Sequence, residues 1–369
     1  MKPPLILGAG PAGCAAAIVL ARAGAAPVLL DRAAEPGDAL CGGFLSWRTA
    51  TRLAQLGVDP RTLGAHRITR LALFAGQTSA EFDLPAAAFG LSRHTLDTAM
   101  RHEAVAKGAV LAIDSARGLD GAAVVGRDRR WSGEGLFLAT GKHDLRGMSR
   151  PRRGRDLAVG LRVRLPVTQE RQALLAGRIE LHLFGGGYAG IVLQEDGSAN
   201  VCLAVRKSRL AAAGDPQALL AQWAEGSAAF AERLGEDWRA APCDTIGAVP
   251  YGYLARETDA GLFKLGDQAA VIPSLAGEGI AIALASGELA AQHWLEGGAG
   301  AAPAYQRRFA ARAAWPLRAA SLLWALAGRP RVAAPGVSLA ARVPPALRWL
   351  METTRLDPAG SLAQVPASP

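Results

Sequence analysis

The stretch LILGAGPAG, residues 5–13, decides how this chain is read. Leu5, Ile6 and Leu7 form a short apolar run suited to a buried parallel strand. Gly8, Gly10 and Gly13 follow in G-x-G-x-x-G spacing. The first glycine permits a tight turn, the second lets a pyrophosphate approach the backbone, and the third lets the next helix pack close to the strand. Pro11 suits a first helical turn, where its missing N–H would be unsatisfied anyway. It leads with Ala12 into a helix predicted over residues 12–23, whose N-terminal amides and dipole would face phosphates. A second apolar run, 27–30, ends in Asp31. That acid lies about 20 residues beyond the last glycine, where a dinucleotide fold needs an acceptor for a ribose hydroxyl.

The chain has 369 residues, half of them hydrophobic, enough for a sizeable core. No uninterrupted apolar run approaches the length of a membrane span, and residues 1–4 lack the regions of a signal peptide, so a cytoplasmic protein is expected. Cys14, Cys41, Cys202 and Cys243 are scattered without C-x-x-C spacing, which predicts neither a disulfide framework nor a metal site. Cys14 reads as a small core residue. The net charge of +9 comes from arginines dispersed over the chain, with a small cluster at Arg150, Arg152, Arg153 and Arg155. No aromatic residues interleave that cluster, so it reads as a solvated face and not as a nucleic-acid platform. Attraction to anionic lipid, with a peripheral membrane contact, or to an acidic substrate carrier is the weaker alternative.

Along the chain, residues 47–57 predict an amphipathic helix, 66–82 strand broken at Gly76, and 91–107 a helix stopped by Gly108. Residues 110–113 and 122–125 suggest a meander, and 136–139 a buried strand that rejoins the first sheet. Strands are predicted at 158–165, 179–184, 188–194 and 199–205, with Glu195-Asp196-Gly197 as a hairpin turn. A helix is expected over 216–234. Amphipathic stretches near 305–326 and 347–351 are interrupted by Pro330, Pro335, Pro344 and Pro345. Lys142 and His143 read as surface loop residues at a strand end.

A second motif lies near the C-terminal third: Gly266-Asp267, Pro273, then Gly277-Glu278-Gly279-Ile280 before a predicted helix. It resembles the second flavin fingerprint of the para-hydroxybenzoate hydroxylase superfamily, G-D followed by P-x-x-x-G-x-G. The segment 92–97, SRHTLD, resembles that superfamily's R-x-x-L-D helix start, which implies Arg93 near the FAD phosphates. Asp31-Arg32 resembles its acid-plus-base pair at the adenosine ribose, and residues 43–57 its segment closing over the flavin. Within the superfamily, Cys41-Gly42-Gly43 looks most like the geranylgeranyl reductases and FixC-like dehydrogenases, whose cysteine-glycine segment lies beside the flavin. Cys41 is then either a thiol at the flavin or a buried structural residue.

The resemblance implies an α/β fold: a Rossmann-like FAD-binding domain from residues 1–65, 92–156 and 255–300, an interleaved, mostly antiparallel substrate domain from 66–91 and 157–254, and a helical C-terminal region from 301. The implied cofactor is FAD, held by Gly8, Gly10, Ala12, Gly13, Asp31, Arg32, Cys41, Gly42, Gly43, Arg93, Asp267, Gly277, Gly279 and Ile280. NAD(P)H is the implied electron donor. Tyr188 is a weak candidate for the substrate cavity. The leading expectation is a monooxygenase acting with O2 on a lipophilic or aromatic small molecule. The alternatives are a flavin-dependent reductase of carbon–carbon double bonds and an electron-transfer flavoprotein dehydrogenase. Two departures from the pattern bear on this choice. Residues 139–144, ATGKHD, lack the Asp-Gly motif frequent in the superfamily, and the antiparallel region has only Tyr188 where the reductases carry an aromatic-rich motif.

Overall fold

A computed structural model of the chain describes residues 2–152, 154 and 156–356. Five parallel strands form the first sheet, in the spatial order Leu262–Lys264, Leu136–Leu138, Leu5–Leu7, Val28–Asp31 and Val110–Ile113. Leu5–Leu7 sits at the centre, paired with Leu136–Leu138 on one side and Val28–Asp31 on the other. Its residues are buried, as a strand covered on both faces requires.

Val110–Ile113 is not part of a meander. It follows the helix Arg93–Ala106 and lies parallel to Val28–Asp31, because a strand returning through a helical crossover runs in the same direction. The meander is the separate ribbon Gly118–Asp120, Ala123–Val125 and Arg130–Trp131.

The fingerprint helices Pro11–Arg22 and Gly279–Gly297 pack against each other through small residues. A Cβ at Gly287 would stand 2.3 Å from the Ala12 carbonyl oxygen, so the two backbones cross at glycine distance. Ala15, Ala16 and Ala17 fill the rest of the seam.

The second sheet has eight strands, ordered Cys243–Val249, Ala158–Leu165, Ala199–Arg206, Gly187–Leu193, Arg178–Phe184, His66–Ala75, Thr78–Gly90 and Phe44–Leu45. All neighbours are antiparallel except Arg178–Phe184 with His66–Ala75. Gly197 adopts φ +79° in the hairpin between Gly187–Leu193 and Ala199–Arg206, closed by Gln194 N donating to Ser198 O. One face packs on the helices Pro216–Glu225 and Ala228–Leu234 through Leu161, Val163, Trp223 and Phe230. These are two helices where the sequence predicts one. Gly226 ends the first, and the Ser227 hydroxyl accepts from Phe230 N to start the second.

The opposite face carries Leu71, Leu181 and Leu183, beneath the C-terminal helices Ala302–Ala327, Pro330–Arg342 and Pro344–Thr353. The prolines interrupt less than expected. Pro330 and Pro344 take first-turn positions, while Pro316 and Pro335 are accommodated inside helices.

Candidate functional site

One cavity of about 1380 Å3 runs between the two sheets and under the C-terminal helices. The sequence-predicted residues meet on its wall from segments far apart in the chain. Gly8, Gly10 and Ala12 come from the first turn, with Asp31 and Arg32 at the end of the second strand. Cys41, Gly42, Gly43 and Arg93 form a second group, and Asp267, Gly277, Gly279 and Ile280 a third. Tyr188 enters from the antiparallel sheet. Gly13 does not reach the cavity. Its Cβ would lie 1.9 Å from the Gly8 carbonyl oxygen, so it serves the contact of helix with turn.

The glycines divide by what surrounds them. Gly8 has φ +108° and would drive a Cβ to 2.4 Å from the Ala139 carbonyl oxygen. Gly43 has φ +70° with Gln194 Nε2 at 2.8 Å from its Cβ position, and Gly277 has φ +68° with the Phe44 ring at 2.9 Å. These positions need glycine for the fold itself. Gly42 and Gly279 have nothing within 4 Å of a Cβ, and Gly10 meets only Arg93 Nη2 at 3.5 Å. There the bare backbone faces the cavity.

The two helices that open at the cavity, Pro11–Arg22 and Gly279–Gly297, have no side-chain cap. Ser46, Ser92 and Asp215, by contrast, cap the helices that follow them. Uncapped N-terminal amides with a positive dipole end form an anion site. Arg93 stands beside it, gripped in bidentate fashion by Asp97 at 2.8 and 2.6 Å. These features fit the phosphates of FAD on the first turn and its ring system beside Gly42 and Gly279.

Asp31 is engaged within the protein as well. Its carboxylate accepts from Ala9 N at 2.7 Å and Ala33 N at 3.1 Å, and pairs with Arg101 at 3.1 Å. Arg101 also donates to the Ala9 and Ala33 carbonyls, so it ties the glycine turn to the segment after the second strand. Sequence reading missed Arg101. The signal was available, since Arg93, Asp97 and Arg101 recur every fourth residue along one helix face.

Arg150 departs from the expected solvated cluster. It is buried, pairs with Asp144 at 2.7 Å, and donates to the carbonyls of Lys142 and Asp267. It thereby fixes the second fingerprint to the strand end that carries Lys142. Lys142 is half-buried on the cavity wall and donates to Leu40 O at 2.6 Å, whereas His143 is exposed at the rim. Burial and the neighbouring charges of Arg32, Lys142 and Arg150 push the His143 imidazole below its usual pKa. Arg153 and Arg155 lie outside the described residues.

Cys41 is half-buried on the wall, its carbonyl accepting from Asn200 Nδ2 at 3.0 Å. Beyond it the cavity becomes apolar. Leu71, Leu84, Ile179 and Leu181 line the sheet side, and Leu326, Val337, Leu347 and Met351 the helix side. At the junction, Tyr188 Oη donates to Ser274 Oγ at 2.8 Å, and Tyr251 Oη shares that hydroxyl at 2.5 Å. Trp324 packs edge-on against both rings. Burial pushes the Tyr251 phenol up to about 12 and raises Tyr188 well above its ordinary range, so both keep their protons at neutral pH. Tyr251, Ser274 and the C-terminal helices were not read from sequence as cavity wall. Nothing in their local pattern distinguishes a cavity wall from an ordinary core.

Residues 2–120 match the family model described as an FAD binding domain. The match supports an FAD-dependent oxidoreductase. The chain is 28% identical over 313 residues to digeranylgeranylglycerophospholipid reductase 2 of Methanopyrus kandleri, covering 78% of this chain and 75% of the relative. It is 28% identical over 325 residues to menaquinone reductase of Mycolicibacterium smegmatis, covering 80% and 76%. Among solved structures, the flavin-dependent brominase Bmp2 shares the fold with a TM-score of 0.77 at 15% identity, over 96% of this chain and 94% of that one.

Proposed function

We propose that the protein reduces carbon–carbon double bonds in the isoprenoid chain of a lipid or quinone, with NAD(P)H as electron donor. The observation that carries this reading is the apolar arm of the cavity, which leads away from Cys41, Gly42 and Gly279 between leucine-lined walls. A compact aromatic substrate would make little use of that arm, while a prenyl chain matches its apolar lining. The relatives of greatest alignment length are named for a digeranylgeranyl lipid and for menaquinone, both of which carry isoprenoid chains. This supports the reductase over the hydroxylase that leads from sequence alone.

Bound FAD would supply the hydride for such a reduction. The protein's part is to hold the cofactor through Gly10, Arg93, Asp31 and the two uncapped helix ends, and to thread the chain past it. The second hydrogen must arrive as a proton. Tyr188 Oη, kept protonated by burial and joined through Ser274 to Tyr251, stands on the wall where one can be held.

The decisive experiment supplies NAD(P)H and a prenylated lipid with and without O2, and weighs the product. A gain of two mass units per double bond, independent of O2, is expected. A gain of one oxygen atom with O2 consumed would return the hydroxylase reading. Tyr188→Phe should retain FAD and its reduction by NAD(P)H, and slow product formation about 100-fold or more. Unchanged turnover would remove Tyr188 from proton delivery.

A further inference from the structure

The positive charge of the chain is not evenly spread. Between residues 302 and 351 there are eight arginines and no lysine, aspartate or glutamate, against a net charge of +9 for the whole chain. Arg307, Arg308, Arg318, Arg329, Arg331 and Arg342 are exposed and, among the described residues, none of these six has an acidic partner. Several arginines elsewhere are paired, as Arg162 is with Asp38 and Asp244.

The same helices carry the largest apolar side chains left in solvent. Trp315 is 61% exposed, Leu322 62%, Leu339 61% and Trp349 65%, with Val343 also exposed. On Pro330–Arg342 the exposed residues Val332, Gly336 and Leu339 recur at helical spacing, a stripe that continues to Val343 and runs beside the buried Ala333 and Val337. That helix carries two apolar stripes and is basic along one edge, at Arg331 and Arg342. A solvated helix has no use for the outer stripe, and nothing among the described residues covers it.

The outer stripe also meets the cavity. Val332 is both 40% exposed and part of the cavity wall, and Leu323, beside the exposed Leu322, lines the same arm. The apolar arm therefore reaches the exposed stripe of Pro330–Arg342, the helix that also carries Arg331 and Arg342.

We propose that the outer face of the C-terminal helices docks on an anionic lipid bilayer. Arginine attracts the acidic headgroups, tryptophan suits the headgroup level, and the leucine stripe enters the acyl boundary. No helix among the described residues is long and apolar enough to cross a membrane, so the contact is a surface one. Passage of a lipid chain from the bilayer into the arm rests on the reading under Proposed function. The docking face does not.

The test is flotation of the FAD-loaded full chain with vesicles of phosphatidylcholine alone or mixed with phosphatidylglycerol. Binding is expected on the mixed vesicles only. It should fall as ionic strength rises from about 0.1 M to about 1 M, which shortens the screening length from about 10 Å to about 3 Å. Arg329→Glu with Arg331→Glu should weaken binding at least about 25-fold, counting about fivefold for each basic side chain lost. Leu339→Ser with Trp349→Ser should weaken it at either salt. Both variants change exposed side chains, and retained FAD absorbance and melting temperature report that they fold. Equal binding to both vesicles, no binding to either, or binding indifferent to both variants would overturn the proposal. So would a vesicle-free dimer that the Leu339→Ser, Trp349→Ser variant splits, because a second copy would then be the occupant. Vesicle binding needs no turnover, so its failure is separate from a product of the wrong mass.

Discussion

Around the first glycine turn, adding one methyl group at Gly8 or Gly13 collides with backbone atoms, whereas the apolar arm is lined mainly by leucines and other aliphatic side chains. The first region is built by exclusion. Two helices and a strand approach so closely that only glycine and alanine fit, and Asp31 with Arg101 stitches the turn from below. The second region is built by accumulation. Leucines, a methionine and an isoleucine from one sheet and three helices leave an apolar space, and no single one of them defines it. A region held by exclusion should tolerate few substitutions and fail abruptly. A region held by accumulation should lose stability in small steps and change what it admits.

Gly13→Ala should show the largest effect. Its new Cβ lies 1.9 Å from the Gly8 carbonyl oxygen, and the contact is backbone, which cannot rotate away. A cost of about 3 kcal/mol or more is expected, at the top of the range for overpacking. Loss of soluble, FAD-loaded protein would register it, and a variant with native melting would break the contrast between the regions.

Asp31→Ala should come next. It strips two amides of their acceptor and leaves the buried Arg101 without its carboxylate. Removing one partner of such a pair costs about 3 kcal/mol. Urea unfolding with FAD removed separates two roles. A loss of stability in the FAD-free protein marks Asp31 as a staple of the turn, and a loss confined to FAD affinity marks it as a ligand alone.

Glu278 joins the two regions, since its carboxylate meets Arg355 beyond the last C-terminal helix while its neighbours Gly277 and Gly279 line the cofactor end. Burial pushes its carboxyl up to about 7, with Arg355 opposing. A carboxyl raised in the folded state binds its proton more tightly there than in the unfolded chain. Its contribution is therefore present below the ordinary carboxylate range and lost as pH rises from about 4.5 to about 7. Melting temperature should fall over that interval, and Glu278→Gln should flatten the fall. An unchanged slope would place the linked proton elsewhere.

Leu84→Ala should cost less, about 2 kcal/mol, the low end for a leucine truncation. It enlarges a space that already exists. Chain-length preference among prenylated substrates should shift more than stability does. A cost near 5 kcal/mol would show that the arm is packed as tightly as the fingerprint.

The smallest stability change belongs to Gly42→Ala, within about 0.5 kcal/mol, because nothing lies within 4 Å of the added methyl. FAD affinity should fall nonetheless, as the methyl would stand where the ring approaches. Unchanged FAD retention would move the ring away from Gly42.

The same contrast accounts for what could be read early. Gly8, Gly10, Asp31 and the run from Gly266 to Ile280 were legible because backbone geometry admits so few residues there that spacing becomes a signature. Gly42 and Gly43 were read as one feature, yet only Gly42 faces open space, while Gly43 is required by its φ and by Gln194. Adjacent glycines look alike in a string and differ only in what stands around them. Arg150 was read as part of a solvated cluster and is instead buried beneath the second fingerprint, since burial depends on chain brought in from more than a hundred residues away.

By itself the sequence determined the parallel strand at Leu5–Leu7, its helix, the alternating strands of the second sheet and the two fingerprints. Each of these is a local rule: a glycine spacing, a two-residue or near-four-residue period, a turn. Only the tertiary structure decided that Val110–Ile113 joins the parallel sheet, that Tyr188 and Tyr251 share Ser274, and that the C-terminal helices roof an apolar arm while exposing a second apolar stripe. Those outcomes depend on which surfaces meet after the chain has closed on itself. Apolar side chains attract without direction, so a leucine in the string carries no mark of whether it will face a core, a cavity or solvent.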